Sequence, residues 1–543
     1  MKTIKTLLLL VTFVLLASCQ SQPGTAADEG GTGWSCLQYP GEAVTCLEEA
    51  GLTEQELTDR ANAGHGEYVQ CSGYEDIGGI MHSPYYKARI NGKDIPVYAS
   101  MVFIRSANTG TLHSFSEVYI EPGNSLALNV ELEGTSVKLH DALVLPKSLG
   151  TEARCSEGVA SATITRPGIY TFLFNGAQQY YGYTLMVREK TDEEAEIAQY
   201  VRQYGKDNVK VFEPGLHELD YLNYVGKDSL VVYLKQGAYL KARHKYEIGS
   251  LEDEGKWVER EALTSNEMQL ARVPFVNFYK CRNIVLTGRG VLDMTNLDRR
   301  ERKGVVFNFC ENVSVSSVKI INAPEWSFIT YCCRNVTIDR TDILGYRGNA
   351  DGFAICNTHN ATVSNCFVRT ADDEFEVKAL GGPMDTRNVT FTDCIAWGGY
   401  ARCFGVCGEV CKGISNVTFR NSAVIYRDGV WDNDRIGALV ITAEQCMGSV
   451  NGITFENIEV FRDEGRAVLV KIYDRQEKDF SIENVVFRNI EYNSPMPSKI
   501  EGNDHWSNRV QVTLENITAN GKKLDSAGNA FQIGANCEVT FSE

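Results

Sequence analysis

Positive charge is scarce in this sequence of 543 residues. Its 53 lysines and arginines are outnumbered by 70 aspartates and glutamates, which gives a formal net charge of -17 at pH 7. Such an acidic surface repels nucleic acid and anionic membranes at long range, so we expect no nucleic-acid partner. Apolar residues make up 43% of the chain. That fraction is enough to bury large cores, so wholesale disorder is excluded.

An apolar run long enough to cross a membrane is missing near the N-terminus. Leu7 to Ala17 follows two lysines and is too short to span a bilayer, as in a secretory signal. The run ends in Leu16-Ala17-Ser18-Cys19, which resembles the lipobox of bacterial lipoproteins. We predict a signal peptide over 1–18 and a lipidated Cys19 that opens a flexible tether over 19–33. The protein would then sit in the bacterial cell envelope, at the outer membrane or cell surface, with this lipid as its only membrane contact. The alternative is an ordinary cleaved signal that happens to contain a cysteine.

Zinc-binding cysteine spacings are also absent. None of the 17 cysteines forms a Cys-x-x-Cys pair, and three that recur every four residues over 403–411 have no histidine nearby. We therefore predict no metal site. Most cysteines are expected to be small buried hydrophobes, while Cys36 with Cys46, and the vicinal Cys332 and Cys333, are candidates for disulfides.

Short strand-like runs fill residues 34–190. The clearest are Ile95 to Ile104, Glu117 to Ile120, Leu126 to Val130 and Tyr170 to Phe174. Turn residues such as Pro122-Gly123-Asn124 separate them, which is typical of an antiparallel β-sandwich. Thr191-Asp192-Glu193-Glu194 then matches a capping box and predicts a linker helix over 191–205.

The rest of the chain, residues 206–543, is a repeat array with steps of 23 to 36 residues. Its anchor positions are Asn283, Asn312, Asn335, Asn360, Asn388, Asn416, Gly452, Asn484 and Gln511. Apolar residues follow each anchor at fixed offsets with a two-residue bend between them, as in Val389, Phe391, Cys394 and Ala396. One unit cannot bury its apolar face alone, whereas stacked units share a continuous core. The array therefore predicts a parallel β-helix in which Cys366 and Cys394 are inward neighbours.

The same register accounts for a set of Asn-x-Ser/Thr triplets. They begin at Asn312, Asn335, Asn360, Asn388, Asn416 and Asn516. In a chain with a bacterial-looking lipobox, we interpret these asparagines as turn residues of the coils rather than glycosylation acceptors.

Three aspartates are spaced by about one coil of the array. Asp351 lies in Gly348-Asn349-Ala350-Asp351-Gly352, and Asp372 and Asp373 follow 21 and 22 residues later. Adjacent coils should therefore hold the three carboxylates several ångströms apart on one wall, and we expect all three to line one exposed groove. Such clustering is costly unless one carboxyl group keeps its proton, which general acid catalysis at neutral pH requires. An isolated Asp-Asp pair would also suit solvated turns.

The Asn-x-Asp-Gly motif, an Asp-Asp pair one coil later and Lys378 beyond it resemble the core of the polygalacturonase family and of its relative, the dextranase and isopullulanase family. The resemblance runs from about Phe212 to Phe487 and includes Leu286 to Asp293 and Asn322 to Trp326. The order of a sandwich before the helix resembles the dextranase branch more closely. The resemblance implies an all-β chain, with an N-terminal β-sandwich followed by a right-handed parallel β-helix of the pectin-lyase type. It also implies an inverting glycoside hydrolase that acts on a polysaccharide or oligosaccharide and needs no cofactor.

The resemblance further implies roles for individual residues. Asp372 would be the general acid that protonates the leaving oxygen, and Asp351 with Asp373 would hold and deprotonate the attacking water. Which of these two is the base stays open. The candidate substrate-binding residues are Glu376, Lys378, Tyr400, Arg402, Glu444 and Lys471.

Two charged motifs of the polygalacturonases are missing here. Gly399 to Gly405 lacks the histidine of their Gly-His-Gly, and Val440 and Thr442 occupy the rung of the arginine and lysine that grip the substrate carboxylate. We therefore predict a neutral glycan substrate such as an α-glucan. The alternatives are a polygalacturonase-like pectin hydrolase, a polysaccharide lyase on the same helix, and a non-catalytic glycan-binding helix. The three intact aspartates disfavour the last of these.

Overall fold

The computed structural model describes residues 33–45, 79–104, 109–133, 137–176, 182–244, 274–428, 434–444, 448–473, 480–503 and 509–542. These residues form an all-β chain in which an N-terminal β-sandwich precedes a right-handed parallel β-helix, as predicted. The predicted signal peptide, Cys19 and nearly all of the tether lie outside them, as does Cys46. None of the helices in the described ranges has the length and apolar character needed to cross a membrane.

The N-terminal domain packs two sheets around an apolar core that includes Leu128, Phe172 and Leu185. The strands of the first sheet are Trp34–Cys36, Val44–Thr45, Ile80–His82, Tyr98–Ile104, Thr109–Ile120, Ala142–Leu145, Gly168–Phe174 and Gly182–Glu189. Those of the second are Tyr86–Ile90, Lys93–Ile95, Leu126–Leu132, Ala153–Ser156 and Val159–Ile164. Short 3-10 helices cover Gly41–Ala43, Lys147–Leu149 and Lys206–Asn208.

The sandwich differs from the sequence prediction in two details. Thr109–Ile120 and Gly182–Glu189 pair in parallel, so the expectation of a purely antiparallel sandwich is wrong. The single run expected over residues 95–104 is two strands that are separated at Pro96. Proline has no backbone N–H to donate to a ladder, so a strand breaks there readily.

The α-helix Glu193–Tyr204 follows the sandwich. The Asp192 side chain caps it by accepting a bond of 3.1 Å from the backbone N–H of Ala195. Ile197 and Tyr200 pack against Val231 and neighbouring apolar residues on the outer wall of the first coils. The helix therefore covers part of the outer surface of the β-helix where the coils begin.

The β-helix consists of two long strand systems, counted over the described residues. A 20-stranded system contains Val209–Phe212, Gly215–Leu219, Asp228–Leu234, Ala238–Ala242, Arg282–Gly288, Val291–Asp293, Glu311–Ser316, Lys319–Ile321, Arg334–Asp339, Asp342–Leu344, His359–Ser364, Phe367–Arg369, Thr386–Thr392, Ile395–Gly398, Ile414–Arg427, Val450–Val460, Ser481–Tyr492, Arg509–Ala519, Lys522–Lys523 and Cys537–Ser542. An 11-stranded sheet contains Leu222–Val225, Pro274–Tyr279, Lys303–Asn308, Phe328–Tyr331, Phe353–Cys356, Phe375–Ala379, Phe404–Val410, Leu439–Ala443, Val468–Ile472, Ser498–Glu501 and Phe531–Ile533. The 11-stranded sheet is entirely parallel across these strands, and it carries the candidate site.

The anchor asparagines stack as the repeat predicts. Asn312 Nδ2 donates to Asn283 Oδ1 at 2.9 Å, and equivalent bonds of 2.8 to 3.0 Å continue coil by coil to Asn416. Each has a positive φ, which asparagine tolerates better than most residues. Asn516 is an exception, because it donates at 2.8 Å to Asn489 in a second ladder along the bends. Assigning Asn516 to the anchor register was therefore wrong, since Gln511 occupies the anchor position of that coil.

The cysteines largely follow the predicted register. Cys366 and Cys394 are both buried in the core of the helix and lie on neighbouring coils, joined by the backbone bond from Ile395 N to Cys366 O. Cys332 and Cys333 are free thiols, so the disulfide predicted between them is wrong. The bend after the strand Phe328–Tyr331 explains this, because Cys332 has a positive φ and joins an apolar cluster on the outer face, while Cys333 enters the helix core.

Candidate active site

Three neighbouring strands of the 11-stranded sheet position the site. Phe353, Phe375 and Phe404 open these strands and point inward, where successive rings stack with centroids 5.7 and 4.9 Å apart. Because side chains alternate along a strand, Glu376 and Lys378 point to the outer face. The aspartates lie just before the strands that start at 353 and 375, and Gly352 N donates to Asp373 O at 2.7 Å. The stacked core therefore fixes the carboxylates along one edge of the sheet.

The three aspartates converge. Asp351, Asp372 and Asp373 each offer a carboxylate oxygen within 4.8 Å of the others. Asp372 has intermediate exposure, whereas Asp351 and Asp373 are each only 2% exposed. The expectation that all three line an open groove therefore needs correction for these two, because side chains from the neighbouring coils pack over them.

Arg402 holds Asp373 from the next coil. Its Nη1 donates to Asp373 Oδ2 at 2.8 Å and its backbone N–H donates to Oδ1 at 3.1 Å. Burial opposes ionisation of Asp373, but the charges of Arg402 and Lys378 win and hold the pKa of this carboxyl below its usual value. Asp373 is thus an ionised, rigidly held carboxylate.

Asp372 has weaker partners. Its Oδ2 accepts from Asn349 N at 3.2 Å and from the Tyr400 hydroxyl at 3.4 Å, and its Oδ1 accepts from the backbone N–H of Asp373 at 3.0 Å. Burial and the charge of Asp373 raise the pKa of Asp372, against the opposing charges of Lys378 and Arg402. Asp372 is therefore the partly exposed carboxyl of the cluster that tends to keep its proton.

Lys378 lies beneath the cluster and joins several acids. Its Nζ is 2.9 Å from Glu376 Oε2, 3.7 Å from Asp351 Oδ2 and 4.0 Å from Asp373 Oδ2. Burial, with the charges of Glu376 and Asp372, raises the pKa of Asp351 well above its usual range. The Lys378 ammonium also lies 4.4 Å from the centroid of the Trp326 ring. Glu376 and Lys378, predicted as substrate ligands, are buried and pair with each other.

The remaining candidates are distributed unevenly. Tyr400 contacts Asp372, and Glu444 Oε1 accepts from Arg402 Nη2 at 3.2 Å, so both join the cluster. Lys471 lies three strands beyond the strand of Glu376 and pairs with Glu501 at 3.0 Å. Lys471 was predicted to bind substrate with the other candidates, but the structure places it apart from the three aspartates.

Two exposed arginines were missed. Arg299 Nη2 and Arg300 Nη2 both donate to Asn349 Oδ1, at 3.2 and 2.6 Å, and Arg299 Nε donates to Gly348 O at 3.3 Å. They come from the loop after Val291–Asp293 and place positive charge two residues from Asp351. The sequence signal was limited to two adjacent arginines in a stretch without periodicity.

Two groups of potential metal ligands overlap at this site, among the residues that the structure describes. They are Asp351, Asp372 and Asp373, and then Asp373, Glu376 and Cys407. Lys378 and Arg402 already supply positive charge to both groups at ion-pair distances. The acids are thus balanced by protein cations, and we assign no metal or cofactor to them.

Comparison with known proteins supports a family assignment for the β-helix. The model of glycosyl hydrolases family 28 matches residues 289–537, which include all three aspartates. A polygalacturonase of Chamaecyparis obtusa is 23% identical over 267 residues, which cover 48% of this chain and 49% of that protein. The chain spans about half the length of the curated relatives it matches.

Solved structures show weaker overall likeness. A polygalacturonase from Erwinia carotovora ssp. carotovora has a TM-score of 0.46 at 16% identity, and the aligned region covers 65% of this chain and 95% of that protein. Dex49A from Penicillium minioluteum has a TM-score of 0.42 at 11% identity, and the aligned region covers 85% of this chain and 95% of that protein. The family model therefore carries the resemblance: residues 289–537 of this chain match glycosyl hydrolases family 28.

Proposed function

We propose that this protein hydrolyses glycosidic bonds of a polysaccharide with Asp351, Asp372 and Asp373. The observation that carries the proposal is the convergence of three carboxylates within 4.8 Å, of which Asp373 is bonded by the Arg402 guanidinium while Asp372 accepts only from uncharged groups. The pKa shifts of the two carboxyl groups, upward for Asp372 and downward for Asp373, agree with this difference. Glycoside hydrolysis needs one carboxyl group that donates a proton and one that stays ionised. The family of residues 289–537 supports the same class of reaction.

In the proposed step, the Asp372 carboxyl gives its proton to the leaving glycosidic oxygen as the bond from that oxygen to the anomeric carbon breaks. A water molecule attacks the anomeric carbon and gives its proton to Asp373, which Arg402 keeps ionised. Asp351 accepts a hydrogen bond from that water and helps to orient it. This assigns the base, between the two residues that the sequence left open, to Asp373.

We propose inversion at the anomeric carbon because a water, rather than a carboxylate, is the attacking group. The closest oxygens of the three aspartates lie within 4.8 Å, whereas inverting pairs usually stand about 6.5 to 9.5 Å apart. The three carboxylates here are neighbours on one wall rather than a pair facing each other across the bond. The anomer of the first product is therefore the decisive observation for this part of the proposal.

The substrate that we favour is a neutral glycan. Val440 and Thr442 are uncharged and follow Gly405 and Cys407 on the outer face of the sheet. Nearby cations are already paired, as with Arg402 to Asp373. A uronate carboxylate left without such a partner in the site would cost several kcal/mol.

A pectic substrate is the second candidate. Arg299 and Arg300 are exposed beside Asn349 and could pair with a uronate from a direction that the missing Arg-Lys rung does not use. The curated relative named above is a polygalacturonase, which supports the same substrate class.

The test is a panel of dextran, pullulan and polygalacturonate, with reducing ends and product sizes measured for the wild type and for Asp372→Asn. Release from dextran or pullulan supports the neutral-glycan proposal. The pectic candidate is supported instead if reducing ends are released only from polygalacturonate and this release is lower in the variants Arg299→Ser and Arg300→Ser. Products that absorb in the ultraviolet would indicate a lyase, and no release from any tested glycan would contradict the proposed substrates.

We also propose that the protein is held at the bacterial cell envelope by a lipid on Cys19, on the strength of the Leu16-Ala17-Ser18-Cys19 motif. Labelled palmitate should enter the wild-type protein but not Cys19→Ser when both are expressed in a bacterium. Equal labelling of the two proteins would refute the anchor.

A further inference from the structure

We infer that the N-terminal β-sandwich is part of the active-site framework, because its His113 positions the turn that carries Asp372 and Asp373. The catalytic consequence of this inference rests on the function proposed above. The structural part rests on a chain of buried contacts that runs from the sandwich, through Arg369 and Trp397, to residues 370–374.

His113 lies in the strand Thr109–Ile120 and is fully buried. Its Nδ1 is 2.7 Å from Arg369 Nη1. Arginine can only donate, so Nδ1 is the acceptor and the imidazole proton is on Nε2. The His113 ring also stacks on Phe367, with centroids 5.4 Å apart and an interplanar angle of 20°. Burial and the charge of Arg369 hold the pKa of His113 well below its usual value, which keeps this acceptor available at neutral pH.

A second residue of the sandwich, Gly182, restricts Arg369 indirectly through the Trp397 ring. The Arg369 guanidinium lies 3.8 Å from the centroid of the Trp397 ring. On the sandwich side, Gly182 approaches Trp397 so closely that a Cβ at this position would lie 2.5 Å from the ring carbon Cη2. Arg369 and Trp397 are thus packed against His113 and Gly182, respectively. A shift of either side chain would therefore disturb a contact with the sandwich.

Arg369 ends the strand Phe367–Arg369, three residues before Asp372. The turn after it is tightly held, since Gly399 N donates to Thr370 O at 2.9 Å and Thr370 N donates to Glu374 Oε1 at 3.4 Å. A Cβ on Gly399 would lie only 2.6 Å from Thr370 O. A displacement of Arg369 is therefore transmitted to the backbone of the two aspartates rather than absorbed in a loose loop.

His113 is accordingly a positioning residue, since it is buried away from solvent and acts on the aspartates through Arg369. Its loss should lower kcat more than it changes KM, because it alters the placement of the proton donor and leaves the exposed substrate contacts in place. A misplacement of about 1 Å is enough to cost on the order of 100-fold in rate.

The test compares His113→Leu, which removes the acceptor, with His113→Asn, whose Oδ1 takes the place of Nδ1. Ile169→Ala is the matched control, because Ile169 is 4% exposed and belongs to the same interface cluster but lies in a different strand of the sandwich, Gly168–Phe174. We expect kcat of His113→Leu to fall by about 10- to 100-fold with KM within about threefold. His113→Asn should recover most of kcat, and Ile169→Ala should lower the melting temperature while kcat stays within twofold of wild type.

Amide hydrogen exchange of residues 369–374 provides a readout that does not depend on activity. Faster exchange of this segment in His113→Leu than in Ile169→Ala supports the inference. This result is independent of the substrate test: if the wild type cleaves none of the glycans tested, the proposed substrates are wrong but the positioning role of His113 is still supported. Unchanged exchange and unchanged kcat in His113→Leu would overturn it, as would a failure of His113→Asn to restore either one. If His113→Leu does not fold, Gly182→Ala decides the matter on the same two readouts, because its added Cβ forces a shift of the Trp397 ring on which the Arg369 guanidinium lies.

Discussion

Asp372 and Asp373 are adjacent in the chain, yet their surroundings move the pKa values of their carboxyl groups in opposite directions. Arg402 donates twice to Asp373, from its side chain and from its backbone. Asp372 instead accepts from a tyrosine hydroxyl and two backbone amides, and it faces the charge of its neighbour. One carboxyl is thereby suited to donate a proton and the other to accept one.

Replacing Asp372 by Asn should remove nearly all turnover and leave the fold intact. The amide oxygen of Asn can still accept the bond from Asn349 N, so the free energy of unfolding should change by about 1 kcal/mol or less. Turnover and thermal unfolding of the same preparation check this. Substantial activity in a folded Asp372→Asn protein would show that the proton comes from another group.

The pH dependence of kcat/KM should be bell-shaped. Activity should fall as pH rises through the raised pKa of Asp372, because the donor loses its proton, and as pH falls through the lowered pKa of Asp373, because the base gains one. Arg402→Met removes the cation that stabilises ionised Asp373, so it should move the acid limb to higher pH. Arg402→Lys, which keeps the charge, should move that limb less, and an acid limb that is equal in both variants would contradict the assignment.

The stability contributions of Glu374 and Asp373 should depend on pH with opposite signs. Burial raises the pKa of Glu374 well above its usual value. Its contribution to stability is therefore complete below the unfolded pKa and is lost as pH rises through the folded pKa. Glu374→Gln cannot ionise, so its melting temperature relative to wild type should increase as pH rises from the unfolded pKa of Glu374 toward its raised folded pKa.

Asp373→Asn provides the opposing control for that experiment. Its folded pKa is lowered, so the stability that Asp373 contributes is present above the unfolded pKa and is lost as pH falls through the folded pKa. The variant should thus be less stable than wild type at neutral pH and approach it in acid. Parallel stability curves for Glu374→Gln and wild type would show that Glu374 is ionised in the fold.

The periodic part of the molecule could be predicted from sequence because one physical rule repeats. Every coil must bury the same apolar offsets, and residues such as Phe391 and Cys394 are in the core where those offsets place them. Asn516 was assigned to the wrong ladder, since anchor and bend asparagines look alike in a triplet. Only the position of Gln511 in the same coil separates the two.

The positions of the site residues along the coils could be predicted from the sequence, but the ion pairs between their side chains could not. One-coil spacing brings the three aspartates together without knowledge of any side-chain contact. Sequence cannot tell whether a cation points at substrate or at an acid on the next coil, and Arg402, predicted as a substrate ligand, is 8% exposed and bound to Asp373. Arg299 was missed for a related reason, since its loop has no period from which to place it.

The stereochemistry of the product gives the sharpest test of the water-attack mechanism. We expect the first product to carry the inverted anomer, because Asp373 is held by Arg402 as a base and is 2% exposed, which leaves it poorly placed to form a bond to a sugar carbon. NMR of the anomeric proton in the first minutes of hydrolysis, before mutarotation, distinguishes the two anomers. A retained anomer would instead require a covalent glycosyl–enzyme intermediate on one of these carboxylates, consistent with oxygens within 4.8 Å of each other. Mass spectrometry of the enzyme quenched during turnover should then show an adduct of one sugar unit or more, and our assignment of Asp373 as base would be wrong.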